Sequence, residues 1–291
     1  VRYKSENSWI SHNTIEQVER LAWVARKLSA GLIHGRHKSQ RLAQGMEFSQ
    51  YRAYVPGDDP RLLDWKMLAK TDKYFVRQSQ IEKDHKMHLL LDNSKSMLYS
   101  EDSTSKLDIA VITVACITHI LSQQGDTFGW QSYDLELPLK SGYKHWNKSI
   151  ELLSKLKGEE KQNFLVHDIK KNSTVVWITD LYDTPEQIDK FVSALKNPTT
   201  ELIVYHLLGI KEEHLDFPSN TTFIDLESGE KMEVNAPKFK GKYQTALGQH
   251  FYTLKNLFYK KGIIYHRTYL HHPVENQLRD FFEKYDAIKI A

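Results

Sequence analysis

From residue 86 onward the chain alternates short, almost wholly apolar runs with longer stretches whose apolar residues return every three or four positions. A strand covered on both faces has no polar side, so it is written as an unbroken apolar run; a helix packed on one face repeats with a period near 3.6. The alternation predicts a parallel sheet with helices on both faces, an α/β fold. Strands are expected over 87–92, in "STVVWITD" ending at Asp180, in "ELIVYHLL" and in "GIIYHRTYL". Helices are expected over 106–123, opened by a capping box of Ser105 and Asp108, and over 144–156, carrying Trp146, Ile150, Leu153 and Leu156. Thr184, Pro185 and Gln187 start another helix, and a long one bears Tyr243, Leu247, Phe251, Leu254 and Phe258. Residues 126–140 give two short strands around a Tyr133-Asp134 turn, and "TTFIDLESGEKMEV" a hairpin that helps complete the sheet.

Upstream the pattern is less regular. Ile15, Val18, Leu21, Ala22, Ala25 and Leu28 mark an amphipathic helix over 14–28. The segment 31–60, punctuated by Gly31, Gly35, Gly45 and Pro56-Gly57, predicts an irregular exposed stretch. Asp59 as cap and Pro60 at the first helical position predict a short helix over 60–69, followed by a strand in "KYFVRQSQIE". The organisation expected is an N-terminal irregular and helical extension, 1–85, packed on a main domain, 86–291.

Composition narrows the class. The 291 residues are 40% hydrophobic and 26% charged, enough for a sizeable core and unlike a disordered chain. A net charge of +3 without a clustered basic surface argues against a nucleic-acid partner. The basic run "HGRHKSQR" lacks interleaved aromatics and is expected to be a solvated loop, and His271-His272 lack a third ligand and are expected at the surface. The single cysteine, Cys116, excludes an internal disulfide and fits a reducing compartment. No apolar run approaches the roughly 20 residues of a membrane span, so a cytoplasmic protein without a membrane span is expected.

Chemistry gathers at "LLLDNSKSM". Asp92 ends an apolar strand, and Ser94 and Ser96 follow at alternate positions, so an extended loop would point all three away from Asn93 and Lys95. Asp180 ends a second strand in the same manner. Ligands of open α/β sheets collect outside the carboxyl ends of strands. Carboxylate and hydroxyl oxygens suit Mg²⁺, Mn²⁺ or Ca²⁺. No P-loop, G-x-S-x-G elbow or H-E-x-x-H is present, and the aspartate-nucleophile phosphotransferases need an acid where this chain has Ser94, so no catalytic motif is recognised. A metal-dependent hydrolase or phosphatase and a metal-free scaffold are the alternatives. Glu47, Arg52, Asp58 and Arg61 form a candidate partner-docking flap; the structural alternative pairs Arg61 with Asp64 and packs Trp65 on the sheet.

Asp92-Asn93-Ser94-Lys95-Ser96 with the downstream Asp180 resembles the metal-ion-dependent adhesion site (MIDAS) of von Willebrand factor A-like domains. "EFSQYRAYVPGDDPRLLDWKMLAK", "YFVRQSQIEKD" and "DLESGEKMEVNA" further resemble the bacterial family called domain of unknown function 58, over about residues 25 to 285. The resemblance implies a doubly wound, mostly parallel sheet of von Willebrand A type. It implies Mg²⁺ held by Asp92 through water, Ser94 and Ser96, with Asp180 outside them or bridged by water, and a protein partner whose Asp or Glu completes the site. It also implies work beside a MoxR-type AAA+ ATPase in complex assembly or chaperone-like maturation. Where such domains supply a middle-loop threonine, "LKSGYKH" offers Ser141; Thr179 is expected to face away from Asp180 and so to stay out of the site.

Overall fold

A computed structural model describes residues 14–43, 50–55, 63–78, 86–162, 164, 169 and 172–289. The chain divides into two units, Val1–Leu32 with His85–Ala291, and Ile33–Asp84. Helix α1 (Thr14–Ala43) begins in the larger and runs into the smaller. The irregular stretch expected from Gly31 is therefore helical as far as Ala43. Gly31 and Gly35 each cost only about 1 kcal/mol inside a helix, and Arg36, Lys38, Gln40, Arg41 and Leu42 around them are good helix formers.

In the smaller unit β1 (Gln50–Ala53) pairs antiparallel with β2 (Phe75–Gln78), setting Arg52 opposite Val76. Between them lies α2 (Trp65–Thr71), whose cap is Asp64, accepting the amides of Lys66 and Met67 at 2.9 and 3.1 Å. Of the helix expected over 60–69, the part within the described residues starts at Trp65, where the aspartate directly ahead of the tryptophan does the capping. Asp59 and Pro60 lie outside the described residues. Trp65 is 63% exposed, so its ring does not pack as anticipated.

The larger unit is built on β3 (Lys86–Leu91), followed by a 3-10 turn (Lys95–Leu98), β4 (Ser100–Glu101), β5 (Thr104–Ser105) and α3 (Lys106–Gln124). Then come β6 (Thr127–Gln131), β7 (Glu136–Lys140), α4 (Tyr143–Leu153), β8 (Ser173–Thr179), α5 (Pro185–Leu195) and β9 (Thr200–Leu208). The chain goes on through α6 (Ile210–His214), β10 (Thr221–Ile224), β11 (Lys231–Val234), α7 (Ala236–Lys260), β12 (Ile264–Tyr269) and α8 (Val274–Lys289). Six strands form one sheet in the order β12-β9-β8-β3-β6-β7, parallel throughout except for β7 against β6. The expected capping box at Ser105/Asp108 is present, and the helix start expected at Thr184 is a second one, closed with Gln187. Two expectations fail: the hairpin β10–β11 forms a separate two-stranded sheet, and α8 was not anticipated.

Helices cover both faces of the large sheet. On one, Leu90, Val175, Trp177, Leu202 and Val204 lie under Ile188, Val192 and Leu195 of α5 and Leu254 and Phe258 of α7. Alternation along the strands turns Leu89, Val176, Ile203 and Tyr205 to the other face, where α3 packs with α4 and α8. Helix α3 is buried almost all round, since α1 also reaches it through Ser29 Oγ and His119 Nδ1, 2.6 Å apart. By length and composition α3 would suit a membrane span, and 72% of its most apolar window is buried in the fold.

One buried base on this face sets a pH dependence. His266 of β12 packs on Tyr205 and Phe281, its Nε2 has no hydrogen-bond partner among the described residues, and its Nδ1 lies 3.2 Å from Lys284 Nζ. Burial, then the Lys284 charge, push its pKa down to about 4, against a partial pull upward from Asp280. The folded state therefore excludes a proton that the unfolded chain accepts. This stabilisation is intact above pH 6.5 and drains away as the pH falls toward 4, on the order of 3 kcal/mol in all. Thermal unfolding of His266→Phe should show a shallower loss of Tm between pH 6.5 and 4 than the native chain. Parallel curves would remove His266 from the acid response.

Candidate functional site

Strand β3 lies where the order of the sheet reverses, with β6 on one side and β8 on the other. At such a point the loops beyond the carboxyl ends diverge and leave a crevice. Leu91 pairs with Ile178, and the Asp92 amide carries the ladder one step further, donating to Ile178 O at 2.9 Å. That register sets Asp92 level with Thr179 and on the same face. Thr179 Oγ1 donates to Asp92 Oδ2 at 2.7 Å, so Thr179 does enter the site, contrary to expectation. Alternation relative to Asp180 was the wrong comparison; the cross-strand neighbour decides. Past Asp180 the chain turns through Leu181, buried with φ 57° in the left-handed region. Its amide donates to Thr179 Oγ1 at 3.2 Å, and its carbonyl accepts from His250 Nε2 at 2.9 Å.

The hydroxyl loop is held as tightly. Asp92 Oδ1 accepts the Ser94 amide at 3.0 Å, and the Ser94 and Ser96 hydroxyls stand 3.0 Å apart. They converge because Ser94 is extended and the 3-10 turn from Lys95 folds Ser96 back; alternation in an extended loop is not the cause. Asn93 fixes the base of this loop. Its Nδ2 donates to Asp134 Oδ1 and Lys157 O, both at 2.9 Å, and its Oδ1 accepts the Tyr133 amide at 3.0 Å. The Glu159 amide adds a bond to Asn93 O at 2.8 Å.

Two lysines meet the carboxylates. Lys106 Nζ, fully buried, donates to Asp180 Oδ2 at 3.2 Å and Glu212 Oε1 at 2.8 Å, with the Tyr99 and Tyr182 rings at 5.2 and 4.7 Å. Burial alone would lower its pKa; Asp180 and Glu212 more than reverse that and hold it above the ordinary lysine value. Lys161 donates to Asp183 Oδ2 at 2.5 Å, and its charge also acts on Asp92 and Asp180. Asp92 is raised above the usual carboxylate range by burial and then by the Asp180 charge, partly offset by Ser94 and Lys161. Asp180 is 1% exposed, and its Oδ1 has no hydrogen-bond partner among the described residues.

The structure thus brings together Asp92, Ser94, Ser96 and Asp180. Ser141 is not among them: it follows Lys140, which pairs with Phe128, itself level with Met87 at the opposite end of β3. Arg52 belongs to the smaller unit, and Glu47, Asp58 and Arg61 lie outside the described residues. Sequence reasoning missed Thr179, Lys106, Lys161, Glu212 and Glu227, whose Oε1 accepts the Ser96 amide at 2.9 Å. Lys106 left a signal, since a cation in the first turn of a helix opposes its dipole and needs a compensating partner. Among the described residues no group of three or more His, Cys, Asp or Glu side chains is arranged to hold a metal, so a cation here would draw on hydroxyls too.

Fold and site define a mixed α/β protein with a mostly parallel six-stranded sheet and paired carboxylates at its carboxyl edge. The family described as "Protein of unknown function DUF58" matches residues 50–252, and the chain belongs to it. Uncharacterized proteins of Mycobacterium bovis and Mycobacterium tuberculosis are 35% identical over 106 residues, 36% of this chain and 33% of theirs. The match thus spans about a third of the length of those curated relatives. Similar solved structures include the conserved hypothetical protein BatB of Bacteroides thetaiotaomicron, 13% identical, TM-score 0.44, covering 71% of this chain and 100% of that one. An aerotolerance-related membrane protein of Bacteroides fragilis is 14% identical, TM-score 0.42, covering 70% and 99%.

Proposed function

We propose that this chain is a protein-interaction module of the von Willebrand A type, in which Asp92, Ser94, Ser96 and Asp180 hold a hard divalent cation, Mg²⁺ before Mn²⁺ or Ca²⁺. The observation that carries the reading is Asp180 Oδ1, a buried carboxylate oxygen without a hydrogen-bond partner among the described residues, close to a second buried carboxylate. Such an oxygen costs free energy that a cation would return. The charges agree: among the described residues Asp92, Asp180, Asp183 and Glu212 are met only by Lys106 and Lys161, so the carboxylates outnumber the ammonium groups even before Glu227 is counted, which suits a cation. The donor set, two carboxylates and two hydroxyls, is hard.

When bound, the ion supplies an open coordination position for an acidic side chain of a protein partner. The chain's own residues do the positioning. Thr179 fixes one oxygen of Asp92, Lys106 one oxygen of Asp180, and Asn93 the loop between them. The partner class we propose is a MoxR-type AAA+ ATPase, with the module acting in complex assembly and not as a catalyst. A metal-free scaffold is the second reading, favoured by the positive charge that Lys106 and Lys161 already bring.

Calorimetric titration of Mg²⁺ into the native chain and Asp92→Asn separates them. Binding should be seen in the native chain and weaken about tenfold or more in the variant, which loses a charged oxygen ligand. Equal heats in both would overturn the metal reading in favour of the scaffold.

A further inference from the structure

We propose that Glu227 is a built-in carboxylate that occupies the hydroxyl loop in place of a partner's acidic side chain, so that the site closes on itself until a partner displaces the hairpin tip. The inference rests on the reading of this loop as an acid-binding site, and deepens it by naming how the site is regulated.

Glu227 is carried far from the loop in sequence and reaches it in space: its Oε1 accepts the Ser96 amide at 2.9 Å across 131 residues. Ser96 is one of the two hydroxyl residues of the loop, with its Oγ against that of Ser94. A carboxylate seated on Ser96 therefore stands where an incoming acidic side chain would have to come.

The tip is shaped for the purpose. Asp225 Oδ1 accepts the amides of Glu227 and Ser228 at 2.8 and 3.3 Å, and these bonds hold its carboxyl below the ordinary range. The Gly229 amide donates to Asp225 O at 2.8 Å, with Gly229 at φ 75°, a conformation suited to glycine. Glu227 thus projects from a closed turn, and its reach does not depend on a floppy loop. The hairpin β10–β11 behind it pairs only within itself among the described strands and shares no ladder with the large sheet. Displacing the tip breaks no strand pairing of the core.

Electrostatics give the contact a sense of direction. A third carboxylate approaching the like charges of Asp92 and Asp180 is repelled unless positive charge lies between them. Cation binding at the loop should therefore tighten the Glu227 contact, so that the ion strengthens the closed form and a competing acid opens it.

Hydrogen exchange on the full chain tests this, comparing the native protein with Glu227→Ala and, as a control in the same turn, Glu230→Ala, each with and without Mg²⁺. Glu227→Ala should speed exchange of the Ser96 amide about tenfold, as expected for loss of a charge-assisted bond, and should abolish any slowing that Mg²⁺ causes over residues 221–234. Glu230→Ala should leave Ser96 unchanged. If Ser96 and the hairpin exchange alike in native and Glu227→Ala protein, with and without Mg²⁺, the proposal fails, whatever the calorimetry shows. If exchange responds to Glu227→Ala while Mg²⁺ gives no heat, the contact stands and the metal reading falls.

Discussion

Lys106→Met should cost about 3–5 kcal/mol of folding free energy, although the side chain it introduces is apolar and of similar length. The reason is what remains behind. Lys106 is fully buried, and its ammonium group is the hydrogen-bond partner of Asp180 Oδ2 and of Glu212. Remove it and Asp180 is left as a buried carboxylate that has lost its hydrogen-bonded counter-charge, with the more distant charge of Lys161 left to offset it. For a chain of this size that corresponds to a drop in Tm of roughly 10 °C. The mechanism makes a second demand: Asp180→Asn placed on top of Lys106→Met should restore a large part of the loss, because it discharges the stranded group. Denaturant titration of Lys106→Met, Asp180→Asn and the double variant decides the matter. Additive losses, or a Lys106→Met protein as stable as the native one, would mean that the ion pair is not what stabilises this edge of the sheet.

Gly129→Ala should cost about 3 kcal/mol for a different reason, the lack of room for one carbon atom. A Cβ at Gly129 would come within 2.7 Å of Leu137 O, 2.9 Å of Leu139 N and 3.0 Å of Pro138 C. All three are backbone atoms, so no side chain can swing away. The crowding comes from a bulge: Phe128 and Trp130 pair with Lys140 and Leu137, so three residues of β6 face four of β7. Relief requires β7 to move, and with it the turn whose Tyr133 amide and Asp134 carboxylate hold Asn93. Gly248→Ala in α7 is the matched control, where an added Cβ meets nothing within 4 Å. There the change should stabilise by about 0.5–1 kcal/mol, as expected for alanine replacing glycine within a helix. Equal effects at the two positions would remove the steric argument.

The sequence carried the parts of the fold that local physics dictates. Capping boxes at Ser105 and Thr184, apolar strands closed by Asp92 and Asp180, and the long apolar face of α7 all follow from neighbours within a few positions. Helix α1 runs on beyond Gly31 because a glycine inside a helix costs little, so glycine alone is a weak stop signal. The spacing of Val274, Leu278, Phe281, Phe282 and Tyr285 in α8 is helical, so this helix too is legible in the sequence.

The candidate site was legible only in half. Asp92, Ser94, Ser96 and Asp180 announce themselves by residue type and strand position. Thr179 depends on the register between β3 and β8, Ser141 on the antiparallel direction of β7, and Lys106 and Glu212 on a loop closure of 106 residues. None of these is written in the spacing of one segment.

Asn93 gives the site a place in the order of folding. Its side chain joins the end of β3 to the turn 41 residues on and to the carbonyl of Lys157, 64 residues on. Asp92 waits for Thr179 across 87 residues, and Ser96 for Glu227 across 131. Contacts that close such long loops pay their entropy before they return any energy, and they form late. The hydroxyl loop has its own local bonds, but its anchoring to the rest of the site needs both halves of the sheet together, so a partner that reads the anchored loop recognises a folded chain.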